Sequence, residues 1–99
     1  MEIVLKEEGK PTVFAVEGRL DTNTSPQLEA YTKDLYAKGV NDIVVDMSSC
    51  EFVSSAGLRV IVAMQKHAVA GGSLVFKNVI PDVMDVFTMT GFDKILTLA

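Results

Sequence analysis

Apolar residues along this chain fall into two kinds of pattern. Short runs rich in β-branched residues predict strands, and they lie at 2–6, 12–17, 42–46 and 74–76. Stretches with apolar residues at helical spacing predict helices, and they lie at about 26–38, 57–70 and 81–90. Residues 95–96 form a short last strand or a packed tail. The alternation predicts a single α/β domain.

Turn and cap residues mark the boundaries of these elements. The segment 7–11 contains a glycine and a proline, and predicts an antiparallel hairpin between the first two strands. Pro26 suits the first turn of a helix, Ser25 or Thr24 suits its cap, and Gly39 suits its end. A strand, a helix and a strand with short connections pair in parallel with a right-handed crossover.

The second predicted helix should bury one stripe. Its inward residues are expected to be Leu58, Ile61, Val62 and Val69. Four small residues at 54–57 stand at its start and follow a small polar loop. We expect Ser55 to begin the helix, with Gly57 in its first turn. This junction of strand, loop and helix is the most informative stretch of the chain. A serine there meets unpaired backbone N–H groups and the positive end of the helix dipole.

Bulk composition narrows the class of protein. The chain has 99 residues, 48% of them apolar, and a net charge of −4, which disfavours nucleic acid as a partner. Cys50 is the only cysteine and fits a reducing compartment. No apolar run approaches the roughly 20 residues of a membrane span, and the first residues do not resemble a signal peptide. We expect one cytoplasmic domain over 1–99, monomeric and not inserted in a membrane.

Three segments of the chain, in order, resemble the STAS domain and specifically the bacterial anti-sigma-factor antagonists. The main one is Asp46-Met47-Ser48 followed by Phe52-Val53-Ser54-Ser55-Ala56-Gly57-Leu58-Arg59-Val60-Ile61. The others are Gly18-Arg19-Leu20-Asp21, similar to a Gly-x-Leu/Phe-Asp segment, and Gly91-Phe92-Asp93-Lys94-Ile95 near the end. The resemblance covers nearly the whole chain. It implies a mixed, mainly parallel β-sheet with helices packed largely on one face.

The resemblance also assigns a role to Ser55. In the family the serine two residues before the glycine is phosphorylated. The residue before that serine is often Asp in the family and is Ser54 in this chain, and the residue after it is often Ser and is Ala56 in this chain. From the residues alone, Ser55 is simply a helix N-cap, contributing about 1 kcal/mol. The family aspartate that matches Asp21 lies near the phosphorylation site and helps partner recognition. An Asx-turn explains Asp21 equally well.

The predicted partner-binding residues come from two loops, 19–25 and 47–56. Both loops follow parallel-type strands and should therefore emerge at the same edge of the sheet. We expect one partner-facing patch there, formed by Asp21, Thr22, Ser54, Ser55 and Gly57. Gly57 is expected to allow close approach of the backbone.

By resemblance, the unphosphorylated protein binds an anti-sigma factor that is also a serine kinase, and so releases a sigma factor. Phosphorylation of Ser55 ends that binding and a serine phosphatase restores it, so the protein is a substrate and not an enzyme. The alternative is a STAS accessory subunit of a lipid ABC transporter, which binds its ATPase constitutively. A serine hydrolase is disfavoured because His67 lies more than ten residues along the same predicted helix from Ser55 and cannot reach it as a base. No metal or cofactor is expected, because ligand clusters and glycine-rich nucleotide motifs are lacking.

Overall fold

Six strands and three α-helices, described over residues 1–99 in this computed structural model, make up the chain. The strands are β1 (Glu2–Glu7), β2 (Thr12–Leu20), β3 (Asp42–Asp46), β4 (Cys50–Val53), β5 (Ser73–Lys77) and β6 (Thr97–Leu98). The helices are α1 (Ser25–Ala37), α2 (Ser55–Gly71) and α3 (Pro81–Thr90), and a short 3-10 helix spans Phe92–Lys94. The predicted α/β class is confirmed.

The strands form one mixed sheet in the order β1-β2-β3-β5-β6, with β4 also paired to β2. Only β1 and β2 run antiparallel, as the predicted hairpin requires, and the other pairs are parallel. Strand β2 is long enough to pair with β3 along Thr12–Ala15 and then with β4 along Gly18–Leu20. It therefore organises both halves of the sheet.

The helices cover one face of this sheet. Phe14 and Phe76 lie on the same face because each pairs with Val45 of the strand between them. The Phe14 ring meets Tyr31 of α1 at 4.9 Å, and the Phe76 ring meets Phe87 of α3 at 6.3 Å. Full burial of such a side chain contributes about 1.5–3 kcal/mol. This layer is the hydrophobic core.

Helix α1 starts and ends close to the predicted positions, but its cap differs. Gly39 adopts a φ of +83° just after the helix, as expected of a C′ glycine. Thr24 occupies the N-cap position without a side-chain cap bond. Its hydroxyl donates instead to the carbonyl oxygen of Arg19 at 2.7 Å, and the Ser25 hydroxyl donates to the carbonyl of Asp21. These bonds tie the helix start to the end of β2.

Strand β4 was not expected, since 47–56 was predicted as a loop. Cys50 and Val53 are buried while the two residues between them are exposed, so the segment lacks the alternation that predicts a half-buried strand. The segment is a strand because the far end of β2 is available to pair with it. The last strand likewise forms at 97–98 and not at 95–96.

The inward stripe of α2 is shorter than predicted. Leu58 and Ile61 are buried as expected, and Met64 continues the stripe at 2% exposure. Val69 was predicted to face inward and is 78% exposed, because the last turn of α2 extends past the buried part of the helix. None of the helices, the longest of which has 17 residues, is both long and apolar enough to cross a bilayer.

Candidate functional site

The ends of β2 and β4 bring the two predicted loops together. Leu20 and Val53 are register partners at the last position of each strand. One residue later, the backbone N–H of Ser54 donates to the carbonyl oxygen of Leu20 at 2.9 Å. The turn that starts at Asp21 and the helix that starts at Ser55 therefore emerge side by side at one edge of the sheet.

The two serines at this edge have different roles. Helix α2 begins at Ser55, and Ser54 is its N-cap, with its hydroxyl oxygen accepting from the Gly57 N–H at 3.3 Å. The carbonyl of Ser54 also accepts the first helical bond, from Leu58 at 2.9 Å. The interpretation of Ser55 as the cap is therefore wrong. Ser55 is exposed, and its hydroxyl makes no hydrogen bond within the chain.

Gly57 lies beneath this surface. It is buried, and a Cβ atom placed on it would stand 2.8 Å from Cγ of Leu20 and 2.9 Å from the carbonyl oxygen of Leu20. Both distances are too short for an ordinary contact. Gly57 therefore allows the first turn of α2 to pack closely on the end of β2. Because it is buried, Gly57 itself contributes little exposed surface to the predicted patch.

Asp21 forms a closed turn at the end of β2. Its Oδ1 accepts the backbone N–H groups of Asn23 at 3.0 Å and Thr24 at 3.1 Å, and its own N–H donates to the Thr24 hydroxyl at 2.8 Å. Burial alone would raise the pKa of Asp21, but these hydrogen bonds and the nearby Arg19 outweigh it and lower the pKa. The carboxylate is thus ionised at neutral pH, and it makes the Asx-turn considered from the sequence.

An exposed pair beside this turn was not predicted. The Arg19 guanidinium lies 4.2 Å from the centroid of the Phe52 ring, and Arg19 Nε lies 3.9 Å from Oδ2 of Asp21. Arg19 and Phe52 are register partners across β2 and β4. Both residues lie within the predicted loops 19–25 and 47–56, but nothing in the sequence indicated that they would meet. An aromatic ring, a cation and an anion together make a surface suited to protein contact.

Asp46 lies at the end of β3 and holds the following loop by hydrogen bonds. Its Oδ1 accepts from the Ser48 N–H at 3.0 Å and from the Asn78 side-chain amide at 3.4 Å. Burial raises its pKa, yet bonds from Ser48 and Asn78 outweigh this and lower it. Asp46 is thus a hydrogen-bonded carboxylate that holds the loop after β3.

The chemistry available at Ser55 is limited. His67 lies twelve residues along α2, about 18 Å by the rise of a helix. Its ring stacks on Tyr36 at 3.6 Å and its Nε2 lies 2.8 Å from Oδ1 of Asn41, so it joins α2 to α1 and the following turn. His67 is therefore not placed to act as a base for the Ser55 hydroxyl. No cluster of three or more His, Cys, Asp or Glu side chains is placed to hold a metal ion.

The predicted patch is thus assembled in part. Thr22 and Ser55 are exposed, Asp21 and Ser54 are half-buried, and Gly57 is buried. Arg19 and Phe52 extend the exposed surface along β2 and β4.

Comparison with known proteins gives one family. Residues 3–98 match the family model described as "Mlab, STAS domain". A protein of Bordetella bronchiseptica that carries the name anti-sigma factor antagonist BtrV is 32% identical over 88 residues. The match covers 88% of this chain and 76% of that protein.

Solved structures resemble the chain over nearly its whole length. An anti-sigma factor antagonist from Mycobacterium paratuberculosis has a TM-score of 0.80 at 26% identity, covering 98% of this chain and 83% of that one. The unphosphorylated form of SpoIIAA has a TM-score of 0.75 at 18% identity, covering 99% and 87%. The phosphorylated form of SpoIIAA, a Bacillus cell fate determinant, has a TM-score of 0.74 at 19% identity, covering 99% and 91%. At these low identities the two SpoIIAA structures show a shared fold.

Proposed function

The chain belongs to the STAS domain family, and we propose that it is an anti-sigma-factor antagonist whose partner binding is switched by phosphorylation of Ser55. The unphosphorylated protein binds an anti-sigma factor that is also a serine kinase, and a sigma factor is released. A serine phosphatase restores the binding form. The protein is the substrate of this exchange and not an enzyme. The observation that carries the proposal is the exposed, unbonded hydroxyl of Ser55 beside the Asp21 turn.

The local geometry favours Ser55 over Ser54 as the phosphate acceptor. Ser54 is half-buried, its hydroxyl oxygen caps α2, and its backbone is bonded to Leu20. A phosphoryl group on Ser54 would crowd the cap against β2. The Ser55 hydroxyl neither caps the helix nor makes a hydrogen bond within the chain, so a kinase can reach it without disturbing the start of α2.

The position of Ser55 also suits a phosphorylated side chain. A phosphoryl group adds about −1.5 to −2 charges at neutral pH. The first N–H groups of a helix lack partners within the helix, and the dipole there favours negative charge. The chain resembles the unphosphorylated and phosphorylated forms of SpoIIAA equally well, at TM-scores of 0.75 and 0.74. This similarity supports a modification that leaves the fold in place.

Binding is expected to respond much more strongly than folding. The surface around Ser55 contains the exposed Phe52 ring and the ionised Asp21, and Arg19 already pairs with both. The exposed Arg59 lies one helical turn further along α2. A partner packed on this surface would desolvate the phosphate, and the single positive charge of Arg59 is smaller than the about −1.5 to −2 charges that a phosphoryl group adds. Such a desolvated charge at an interface costs several kcal/mol.

Charge substitution separates binding from folding. We expect Ser55→Asp to keep the thermal midpoint nearly unchanged, since charge at a helix N-terminus is favourable by about 0.3–1 kcal/mol. We expect it to weaken binding to the cognate anti-sigma kinase by about a hundredfold in calorimetric titration. Ala70→Asp adds the same charge near the other end of α2, about 22 Å away along the axis, and should bind normally. Equal loss of binding in both variants would contradict a local switch.

Site mapping tests the acceptor itself. After incubation with the cognate kinase and ATP, mass spectrometry should place the phosphate on Ser55. Ser55→Ala should fold, bind and remain unmodified, whereas Ser54→Ala should still accept phosphate. Phosphate on Ser54 alone would overturn the assignment.

A second candidate is constitutive binding, as an accessory subunit of a lipid ABC transporter that binds the transporter ATPase. The matched family model carries the description "Mlab, STAS domain", which does not refer to a sigma factor. Binding of Ser55→Asp and wild type with equal affinity to a captured ATPase, together with no phosphorylation, would favour this candidate.

A further inference from the structure

The outer edge of β1 is open. Strand β1 pairs with β2 on one side only, and it is the terminal strand of the sheet. The opposite terminal strand, β6, has only two residues, whereas β1 has six. An edge of this length presents unpaired backbone N–H and C=O groups that another strand can pair with.

The sequence of β1 is complementary to itself. When two β1 strands run antiparallel with Val4 opposite Val4, Glu2 of one copy stands opposite Lys6 of the other. The same register places Ile3 opposite Leu5. We propose that two copies of this chain associate through β1 in this register, extending the sheet across a two-fold axis at Val4.

Other registers lose the charge match. A shift by one residue places Glu2 opposite Glu7, and like charges directly opposite each other are destabilising. A shift by two residues leaves Lys6 opposite Val4, so neither charge is paired. The register centred on Val4 pairs opposite charges at both ends of the segment 2–6.

This register also covers apolar surface. Leu5 pairs with Phe14 within the chain, which places it on the helix side of the sheet, and it is 44% exposed. In the proposed pair, Leu5 of one copy contacts Ile3 of the other on that side. Within the chain, Val4 pairs with Ala15 of β2, which places Val4 on the face of the sheet away from the helices. The even-numbered residues of both copies then share one face, so the helices of both copies lie on the same side of a continuous sheet.

A register shift between Leu5 and Glu7 bounds the interface. Such a bulge ends the regular ladder at about Lys6. The proposed pairing uses residues 2–5, which precede the distortion, and Lys6, which lies at the distortion and has no register partner in β2. An interface of five residues on each strand is small, so the dimer should be weak and depend on concentration.

Cysteine cross-linking tests the register. Two Val4→Cys residues on the axis would have Cα atoms about 4.5–5.5 Å apart, within the range of a disulfide. Leu5→Cys is the matched control, because Leu5 faces Ile3 of the other copy and not itself. The native Cys50 is buried and does not compete. We expect a covalent dimer from Val4→Cys under mild oxidation and little from Leu5→Cys.

Charge exchange tests the pairing in solution. By sedimentation equilibrium, Glu2→Lys or Lys6→Glu should each weaken the dimer about tenfold, and the double variant should restore it. Glu2→Lys should not impair folding, since Glu2 already lies opposite Glu17 in β2. The control exchanges Glu29 and Lys33, an ion pair at 3.8 Å on the exposed side of α1.

The outcomes are separable from those of the proposed switch. The dimer needs no kinase and should form equally in Ser55→Ala. A wild-type chain that stays monomeric at all concentrations, or a dimer unaffected by either single charge change, would overturn the inference. Equal cross-linking of Val4→Cys and Leu5→Cys would show a different register and also overturn it.

Discussion

Gly57→Ala is the most direct test of how β2 supports the start of α2. The added methyl group would lie 2.8 Å from Cγ, 2.9 Å from the carbonyl oxygen and 3.1 Å from Cδ2 of Leu20. Leu20 cannot easily withdraw, because its side chain is fully buried and its carbonyl accepts the N–H of Ser54 at 2.9 Å. The first turn of α2 must therefore move away from β2.

The expected cost follows from two opposing effects. Inserting a methyl group into a filled site costs about 1–3 kcal/mol. Replacing glycine by alanine in a helix returns up to about 1 kcal/mol. With the full helix gain subtracted, the net destabilisation should be up to about 2 kcal/mol. Each kcal/mol lowers the thermal midpoint by about 4–8 °C in a domain of this size.

Thermal and urea unfolding followed by circular dichroism would measure the effect. Gly71→Ala is the matched control, because it makes the same substitution in the same helix with nothing within 4 Å of the added atom. It should be neutral or stabilising by about 0.4–1 kcal/mol. If Gly57→Ala were as stable as Gly71→Ala, the close packing of α2 on Leu20 would not exist as described.

Two further predictions concern the same edge of the sheet. Ser54→Ala should lose about 0.5–2 kcal/mol of unfolding free energy, since it removes the bond to the Gly57 N–H, while Ser55→Ala should change it by less than about 0.5 kcal/mol; equal losses in urea titrations would contradict this cap assignment. Because the folded pKa of Asp21 is lowered from 3.8, its ionised form contributes stability above that pH, and the contribution is lost as the pH falls through the folded pKa. Asp21→Asn should therefore make stability less dependent on pH below about 4, and an unchanged acid limb in pH-dependent melting would argue against the role of the turn.

Some boundaries could be read directly because one residue decides each of them. Pro26 and Pro81 lie in the first turns of α1 and α3, and Gly39 and Gly91 follow the helix ends with φ of +83° and +78°. A proline fixes its own φ, and a glycine adopts positive φ without a Cβ penalty. Such preferences act locally, so they are visible before the fold is known.

The two loops that carry Asp21 and Ser55 emerge at one edge of the sheet as predicted, but the start of α2 differs in detail. The adjacency of Asp21 and Ser55 followed from the parallel strands that precede them. Which serine caps α2 did not follow, since Ser54 and Ser55 offer the same hydroxyl one residue apart. The choice is made by the bond from the Ser54 N–H to Leu20, which positions Ser54 as the cap.

The sequence by itself determined the strand, helix and turn preferences, the glycine needed at position 57 and the serine-rich junction. The tertiary structure decided which strands pair and which distant side chains meet. Strand β4 exists because the far end of β2 offers it a partner, and the contact between Arg19 and Phe52 exists because that pairing sets them opposite each other. Local conformational preferences belong to single residues and their near neighbours. Strand pairing joins segments that are distant in the chain, and its energy appears only when both are in place.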